Sequence, residues 1–319
     1  MAKIEYVKKV SGSITQEMKK VIVGQDGVIE LMLVGLFARG HILMEGVPGI
    51  AKTLMVKTLA KTLNAEFKRI QFTPDCMPSD VIGTNIFDLS THSFKLRKGP
   101  VFTNLLLTDE INRTPPKTQA ALLEAMEERQ VSLDGSVYSL LEPFMVLATQ
   151  NPIEYEGTYP LPEAQLDRFM LKVLAEYPTQ EEEQRLLKKY DEGFDAHDLD
   201  AAGVKAIADS KIINKCQKEI QKITVGEEIL SYITQIVKKT RESLQVILGA
   251  SPRASVALLL AAKTLAGIRG KEFVTPDEVK TISYAVLRHR LILKPEAEIE
   301  GMNSDTIIQD ILSQIEVPR

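Results

Sequence analysis

The sequence has no tryptophan, two cysteines and four histidines among its 319 residues. Two thiols do not make a disulfide framework, so we expect Cys76 and Cys216 to be reduced. The histidines lie too far apart in sequence to suggest a zinc site. The N-terminus shows no secretory signal, and the most apolar stretch, 256–268, is short and contains a lysine. We therefore expect a cytoplasmic protein without membrane insertion.

Charge of either sign is also not in large excess. Lys and Arg number 39 and Asp and Glu 43, which gives a net charge of −4. A net charge this close to neutral gives no global indication of a polyanionic partner, so no nucleic-acid partner is expected, although a local basic pore surface stays open. Hydrophobic residues make up 44% of the chain, enough to bury a large core.

The first half of the chain alternates short apolar runs with helical patterns. Two helices are predicted in the first forty residues, with Ser13 and Gln16 as a capping box and Asp26 as the cap of the second helix. Strands and helices then follow one another, and a hairpin is predicted over 131–140 with its turn at Asp134-Gly135. The alternation predicts a parallel sheet covered on both faces, which is a three-layer α/β/α domain. The predicted strands cover 41–45, 67–72, 105–108, 144–149 and 170–174, and the predicted helices 52–63 and 115–128.

The pattern changes after Pro178, where no strand is predicted and only helical periodicity remains. Thr275 and Glu278 mark the start of one of these helices as a capping box. We therefore divide the chain into an α/β domain, 1–177, and an all-helical domain, 178–319. The helices are predicted over 179–190, 209–221, 226–242, 252–266 and 275–290.

A glycine-rich turn between the first strand and the next helix is typical of a phosphate-binding loop. Its backbone N–H groups would form a nest for nucleotide phosphates, with Lys52 reaching the β- and γ-phosphates and the Thr53 hydroxyl binding Mg²⁺. The usual pattern has glycine directly before the lysine, whereas here Ala51 stands there, and the nest is expected to survive if φ at this residue is negative. The predicted nucleotide-binding residues of this segment are Gly46, Val47, Pro48, Gly49, Ile50, Ala51, Lys52, Thr53 and Leu54.

Polar side chains follow two later strands. The apolar run 105–108 ends in Asp109 and Glu110, of which Asp109 is predicted to hold Mg²⁺ and Glu110 to position and polarise the attacking water. Asn151 follows the next strand and could orient the same water from the other side. Together with the glycine-rich loop, these residues predict a P-loop NTPase that binds and hydrolyses ATP.

Four segments together resemble the MoxR family of AAA+ ATPases, and the resemblance covers nearly the whole chain. They are the glycine-rich loop, the run from Asp109-Glu110 to the two prolines that follow, the run from Ala148 to Pro152, and Leu166-Asp-Arg-Phe169, with Ala250-Ser-Pro-Arg-Ala-Ser255 continuing the match. The resemblance implies an N-terminal nucleotide domain, a C-terminal helical lid and a homo-oligomeric ring, expected to be a hexamer.

The family pattern also implies roles for residues outside the loop. Asn151 looks like the first sensor residue, Arg168 like an arginine finger that reaches a neighbouring subunit, and Arg253 like the second sensor. Gly24 and Gln25 look like the segment that touches adenine. Arg113 is a weaker candidate for a contact to a neighbour, and the segments 78–96 and 131–140 look like an insert and a hairpin of the related magnesium-chelatase subunits.

The function implied by the resemblance is ATP hydrolysis coupled to chaperone-like remodelling or assembly of a partner protein. The partner would be a client or a protein with a von Willebrand factor A-type domain. Two alternatives stay open: a motor subunit of a metal chelatase, and a nucleotide-gated binding scaffold with little turnover. A DNA-linked motor is disfavoured by the acidic chain and the absence of an appended helix-turn-helix.

Overall fold

The computed structural model describes residues 3–47, 49–150 and 157–318. Eleven strands occur in these residues, and five of them form one parallel sheet. The strands are β1 (Ile42–Glu45), β2 (Phe67–Gln71), β3 (Gly83–Asp88), β4 (Ser93–Lys98), β5 (Leu105–Asp109), β6 (Gln130–Leu133), β7 (Ser136–Ser139), β8 (Met145–Gln150), β9 (Leu171–Leu174), β10 (Val246–Leu248) and β11 (Ile292–Leu293). The order in the main sheet is β2–β5–β8–β1–β9.

Helices cover both faces of this sheet and make up most of the second half of the chain. They are α1 (Lys3–Lys19), α2 (Asp26–Phe37), α3 (Lys52–Thr62), α4 (Pro78–Ile82), α5 (Pro116–Glu128), α6 (Glu163–Leu166), α7 (Gln180–Asp191), α8 (Ser210–Ile220), α9 (Glu227–Glu242), α10 (Pro252–Ile268), α11 (Pro276–Leu287), α12 (Pro295–Ile299) and α13 (Ser304–Gln314), with one short 3₁₀ turn at Ile111–Arg113.

Alternate residues of the central strands enter two different cores. On β5, Leu105 and Leu107 belong to the larger core, whereas Leu106 belongs to the smaller one on the other face, and all three are fully buried. A strand that is apolar on both sides is the signature of a parallel sheet between two helical layers. The predicted α/β/α domain followed by a helical lid is therefore confirmed.

Both helix caps predicted near the N-terminus are wrong. Ser13 lies inside α1, because the apolar face of that helix already begins at Ile4, which is buried. The residue before α2 is Gln25, which makes no side-chain cap, and Asp26 is the first helical residue. The Asp26 carboxylate instead pairs with Lys19 at 3.0 Å.

The second half differs from the prediction in two respects: the helices α12 and α13 follow the last predicted helix, and there is a strand pair. β10 and β11 are antiparallel, with Val246 opposite Leu293. Runs of three and two residues are too short for an alternating pattern to be visible in the sequence. The capping box before α11 is confirmed, since the Thr275 amide donates to Glu278 Oε2 at 3.0 Å.

Two hairpins project from the α/β domain. β3 and β4 form one hairpin within the predicted insert, and β6 and β7 form the other, with positive φ at Asp134 (47°) and Gly135 (78°) as a two-residue hairpin turn requires. A hydrogen bond of 2.7 Å from Asn85 Nδ2 to Asp134 Oδ2 joins the two hairpins.

The segment between α7 and α8 returns to the α/β domain. The amides of Ile207 and Ala208 donate to the Thr62 carbonyl at the end of α3, at 2.7 and 3.0 Å. This connection therefore lies against the helix that follows the glycine-rich loop. In the part of the chain that the structure describes, no helix is both long and apolar enough to cross a bilayer.

Candidate active site

The glycine-rich loop connects β1 to α3 and lines an open cleft at the carboxyl edge of the sheet. A Cβ on Gly46 would lie 2.4 Å from the Ala175 carbonyl oxygen, so only glycine fits there. Gly49 has a φ of +88°, which also favours glycine. The loop residues on the cleft are Gly46, Gly49, Ala51, Lys52, Thr53 and Leu54.

Two predicted loop residues pack into the hydrophobic core instead of lining the cleft. Ile50 is buried, and Val47 is partly buried against the same apolar cluster, and neither lines the cleft. If they contact a nucleotide, they do so through their backbone N–H groups. Pro48, which was also predicted here, lies outside the described residues.

Ala51 adopts a left-handed conformation, with φ 61° and ψ 27°. The negative φ that was set as the condition for the nest to survive is therefore not found at this position. Helix α3 begins at the next residue, and the chain must turn sharply from the loop into its first turn. The turn is made in the region that glycine reaches freely and that costs an L-residue about 1–2 kcal/mol.

The ammonium group of Lys52 lies inside the loop, where it donates to the Gly46 carbonyl. Partial burial lowers the pKa of Lys52, while the carboxylates of Asp109, Glu45 and Glu110 act in the opposite direction. Burial penalises the charged form, and the nearby negative charges offset part of that penalty. The side chain is thus a cation held at the centre of the loop, close to acidic groups.

The acidic pair ends β5, the strand between β2 and β8. Asp109 Oδ1 accepts a hydrogen bond from Thr149 Oγ1 at 3.1 Å, and Asp109 Oδ2 pairs with Arg69 Nε at 2.6 Å. Glu110 has a left-handed backbone (φ 58°), and its amide donates to Thr149 Oγ1 at 3.0 Å. The turn places both carboxylates on the cleft that the loop lines.

The carboxylate of Glu110 has two partners of its own. Gln71 Nε2 donates to Glu110 Oε2 at 2.8 Å, and Arg113 Nε lies 3.0 Å from the same oxygen. Arg113, which was the weaker candidate for a contact to a neighbour, therefore contacts Glu110 within this chain. One carboxylate oxygen is held by two donors.

Sequence reasoning missed three polar residues of the cleft: Arg69, Gln71 and Thr149. Arg69 and Gln71 lie on β2, which pairs with β5 such that Gln71 is opposite Asp109. The available signal was polarity at the carboxyl end of a predicted strand, but only the pairing of β2 with β5 connects it to the acidic pair. Tyr190, Ala196 and His197 also line the cleft.

The donors in the cleft fit Mg²⁺. The Thr53 hydroxyl and the Asp109 carboxylate are hard oxygen ligands of the kind this ion prefers. Asn151, predicted to act beside Glu110, lies outside the described residues, although Gln150 at the end of β8 precedes it directly. Among the described residues, no group of three or more His, Cys, Asp or Glu side chains could hold a metal alone.

Comparisons with known proteins agree with this geometry. Residues 41–171 match the family described as ATPase family associated with various cellular activities (AAA), and residues 238–311 match the AAA lid domain. The chaperone MoxR1 of Mycobacterium tuberculosis is 43% identical over 312 residues, which are 95% of this chain and 81% of the relative. The chain belongs to the MoxR family of AAA+ ATPases.

Two further proteins match over nearly their full length. The uncharacterised protein YeaC of Bacillus subtilis is 45% identical over 318 residues, covering 100% of this chain and 98% of the relative. A solved structure from Cytophaga hutchinsonii has a TM-score of 0.90 and 42% identity, and the match covers 99% of this chain and 97% of that one. Both the AAA domain and the lid are therefore shared with these relatives.

The residues that the MoxR pattern assigns to adenine lie in a second cleft, beside the start of α2. Gly24 and Gln25 line it together with Tyr177 and Thr179. Gln25 Nε2 donates to the Glu176 carbonyl at 3.0 Å, which holds the segment against the chain leaving β9. Among the residues that the structure describes, none lines both this cleft and the cleft of the phosphate-binding loop.

The two arginines that the MoxR pattern assigns to catalysis meet at a third place. Arg168 Nε lies 2.8 Å from Glu127 Oε2, and Arg253 Nη2 lies 2.7 Å from Glu127 Oε1. Neither arginine lines the cleft of the phosphate-binding loop in its own chain. The structure therefore brings Arg168 and Arg253 together at Glu127, outside the lining of the cleft that contains Lys52.

A buried network fixes the segment that carries Arg168. Arg290, whose side chain is 3% exposed, pairs with Asp167 at 2.6 Å and donates to the Phe169 carbonyl at 2.8 Å. Ser251, at the start of α10, donates to the other oxygen of Asp167 at 2.9 Å. The lid thus holds the residues on both sides of Arg168.

Proposed function

We propose that the protein binds ATP with Mg²⁺ and hydrolyses it. The observation that carries the proposal is the convergence of Lys52, Asp109 and Glu110 on one cleft at the carboxyl edge of a parallel sheet. The loop N–H groups and Lys52 would bind the phosphates, and Thr53 and Asp109 would hold the metal ion. Bound Mg²⁺ would neutralise charge on the phosphate oxygens.

Glu110 would accept a proton from the attacking water. One of its oxygens is held by Gln71 and Arg113, and this fixes the direction in which the carboxylate points. A fixed carboxylate near the phosphates can orient water and act as a general base. Asn151 is proposed to hold the water from the neighbouring strand.

The variant Glu110→Gln tests this assignment, because the amide keeps the shape but cannot take up the proton. We expect ATP-Mg²⁺ binding to persist and turnover to fall by about 10²- to 10⁴-fold, which is the usual contribution of a general base. Glu124→Gln is the matched control, since Glu124 is exposed on α5 and lies outside the cleft. Turnover of Glu110→Gln within twofold of wild type would contradict the role.

We further propose that Arg168 completes the active site of a neighbouring subunit in a homo-oligomeric ring, a hexamer in our proposal. Arg168 does not line the cleft of its own chain and is 31% exposed, and both observations support action on another chain. A planar guanidinium stabilises charge on transferring phosphate oxygens, and such arginines are worth about 10³- to 10⁵-fold.

Subunit mixing tests this arrangement. Arg168→Ala and Lys52→Ala should each be inactive alone, and a mixture should regain activity because some interfaces join an intact Lys52 to an intact Arg168. Specific activity of the wild type should also rise with protein concentration. A mixture that assembles but stays inactive would rule out action between subunits.

The proposed cellular role is remodelling or assembly of a partner protein, with a client or a von Willebrand factor A-type protein as the partner. The two joined hairpins support a contact surface, because they carry exposed apolar side chains and none of them lines the cleft. Deleting the turn Asp134-Gly135 should leave basal ATPase unchanged and reduce client-dependent activity. The exposed apolar side chains of the two hairpins are Ile86, Phe87, Leu89, Phe94 and Val137.

The alternatives make different predictions. A nucleotide-gated scaffold would bind ATP and show almost no single-turnover hydrolysis, whereas a chelatase motor would be active only with a chelatase partner. The relationship to a chaperone over 95% of the chain supports remodelling more strongly. We also propose that the chain divides into the domains 1–177 and 178–319, which limited proteolysis would test. The proposed location is cytoplasmic, which cell fractionation would test.

A further inference from the structure

Glu127 stands at a point where a carboxylate is unfavourable without cations beside it. It is the second-last residue of α5, and the last turn of that helix contains no basic residue. The C-terminal end of a helix carries partial negative charge, which destabilises an acidic side chain placed there. Arg168 and Arg253, which come from other parts of the chain, supply the missing positive charge.

The geometry is that of one carboxylate shared by two guanidinium groups. Each arginine takes a different oxygen of Glu127, at 2.8 Å for Arg168 and 2.7 Å for Arg253. Without the carboxylate, two like charges at this separation would repel each other and move apart. Glu127 therefore keeps the two cations close together, and its hydrogen bond from Arg253 Nη2 also sets the direction of that arginine.

The group remains accessible from outside the chain. The side chains of Arg168, Glu127 and Arg253 are 31%, 34% and 50% exposed. Beside Arg253 on α10, Val256 and Leu260 are 55% and 40% exposed, and the spacing of three and four residues puts them on the same face of the helix. An apolar stripe next to two cations suits a second copy of this chain, whose cleft presents Asp109 and Glu110 and, in the proposed function, would hold the phosphates.

We propose that Glu127 is a positioning residue that holds Arg168 and Arg253 side by side, so that a neighbouring subunit receives both as one unit of fixed geometry. The inference rests on the proposed function, in which Arg168 acts on the neighbour's nucleotide. Asp167 fixes the backbone around Arg168 through Ser251 and Arg290, whereas Glu127 fixes the charged ends of the two arginines.

The test is Glu127→Gln, which keeps the shape and removes the charge. Glu128→Gln is the matched control, because Glu128 is the next residue, is exposed and makes no ion pair with a described residue. ATPase kinetics are measured at a concentration where sedimentation shows wild-type assembly. We expect kcat to fall about 10- to 100-fold, since a misplacement of about 1 Å can cost on the order of 10²-fold.

Three further readouts separate positioning from a structural role. The KM for ATP, the assembly state and the Tm of Glu127→Gln should match the wild type, and Glu128→Gln should keep full activity. Glu127→Asp, which retains the charge but is shorter, should recover part of kcat. Adding Glu127→Gln to Arg168→Ala should reduce kcat by less than Glu127→Gln does in the wild type, because only Arg253 is then left for Glu127 to position.

The outcomes are distinguishable. An active Glu127→Gln beside an inactive Arg168→Ala overturns the role of Glu127 and leaves the proposed function standing. A fully active Arg168→Ala overturns the role of Glu127 and also the role proposed for Arg168 in the neighbouring subunit. Loss of assembly in Glu127→Gln would make Glu127 an interface residue, and a gain of activity would make it a restraint, and either result overturns the proposal.

Discussion

Replacing Ala51 by glycine should stabilise the protein, although alanine-to-glycine changes usually destabilise. Ala51 has φ 61° and ψ 27°, a left-handed conformation that costs an L-residue about 1–2 kcal/mol and glycine almost nothing. Glycine also makes the unfolded chain more flexible, which offsets about 0.4–1 kcal/mol of that gain. The net effect is a stabilisation of about 1 kcal/mol, between the limits of about 0 and 1.6 kcal/mol.

A matched change elsewhere should have the opposite sign. Ala120 is exposed in the interior of α5, where glycine costs about 1 kcal/mol relative to alanine. Thermal and denaturant unfolding should therefore separate Ala51→Gly from Ala120→Gly by about 2 kcal/mol. In a chain of this size that difference corresponds to a Tm gap of a few degrees, on the basis of about 2–4 °C per kcal/mol.

The result that would refute the reasoning is a loss of stability in Ala51→Gly similar to that in Ala120→Gly. Such a loss would mean that Ala51 has a negative φ in solution. Affinity for ATP provides a second check, because the backbone N–H of residue 51 is present in both forms. We expect the Kd of Ala51→Gly to change by less than about threefold, or about 0.7 kcal/mol.

Three further predictions concern other parts of the structure. Lys52→Ala should abolish detectable ATP binding or turnover, because the loop loses its central cation; retained affinity and turnover in a binding and ATPase assay would contradict this. Arg290→Ala should destabilise the protein by about 3–5 kcal/mol, because it leaves the Asp167 carboxylate without its buried partner; denaturant unfolding measures this loss, and a change below about 1 kcal/mol would contradict the buried pairing. Burial lowers the pKa of His41 to about 4 in the native state, whereas the same histidine in the unfolded chain has a pKa of 6.5. Between these two values the unfolded chain takes up a proton that the native state does not, and this favours unfolding. The contribution to stability is complete above pH 6.5 and falls as the pH drops toward 4, by on the order of 3 kcal/mol in total. The Tm of the wild type should therefore fall between pH 7 and pH 5. This fall should be smaller in His41→Asn, whereas His92→Asn, which replaces an exposed histidine, should show the same fall as the wild type.

The sheet order could not be derived from local patterns alone. The strands of the α/β domain were predictable because each is a short apolar run between turn signals, and their parallel arrangement follows from the intervening helices. The pairing of β2 with β5 brings Arg69 and Gln71 to the acidic pair. That contact joins residues about forty positions apart, and no periodicity in either segment indicates it.

Local signals also failed where a longer-range preference was stronger. Ser13 resembles a helix cap, but the apolar face that runs from Ile4 to Met18 packs into the core and carries α1 straight through it. Ala51 has a positive φ, although alanine intrinsically prefers a negative one. The start of α3 at Lys52 overrides that preference, because the loop has to turn in the residue before.

The sequence by itself determined the chemistry of the candidate site. Two contiguous motifs can be recognised in the sequence: a glycine-rich loop that ends in Lys52 and Thr53, and an apolar run that is followed by Asp109 and Glu110. The first depends on backbone N–H groups, and the second depends on side chains at a strand end. Only the tertiary structure decided where the arginines lie. Arg168 and Arg253 are separated by more than eighty residues, and the carboxylate that joins them comes from a third segment, so their meeting at Glu127 depends on the packing of the lid against the α/β domain.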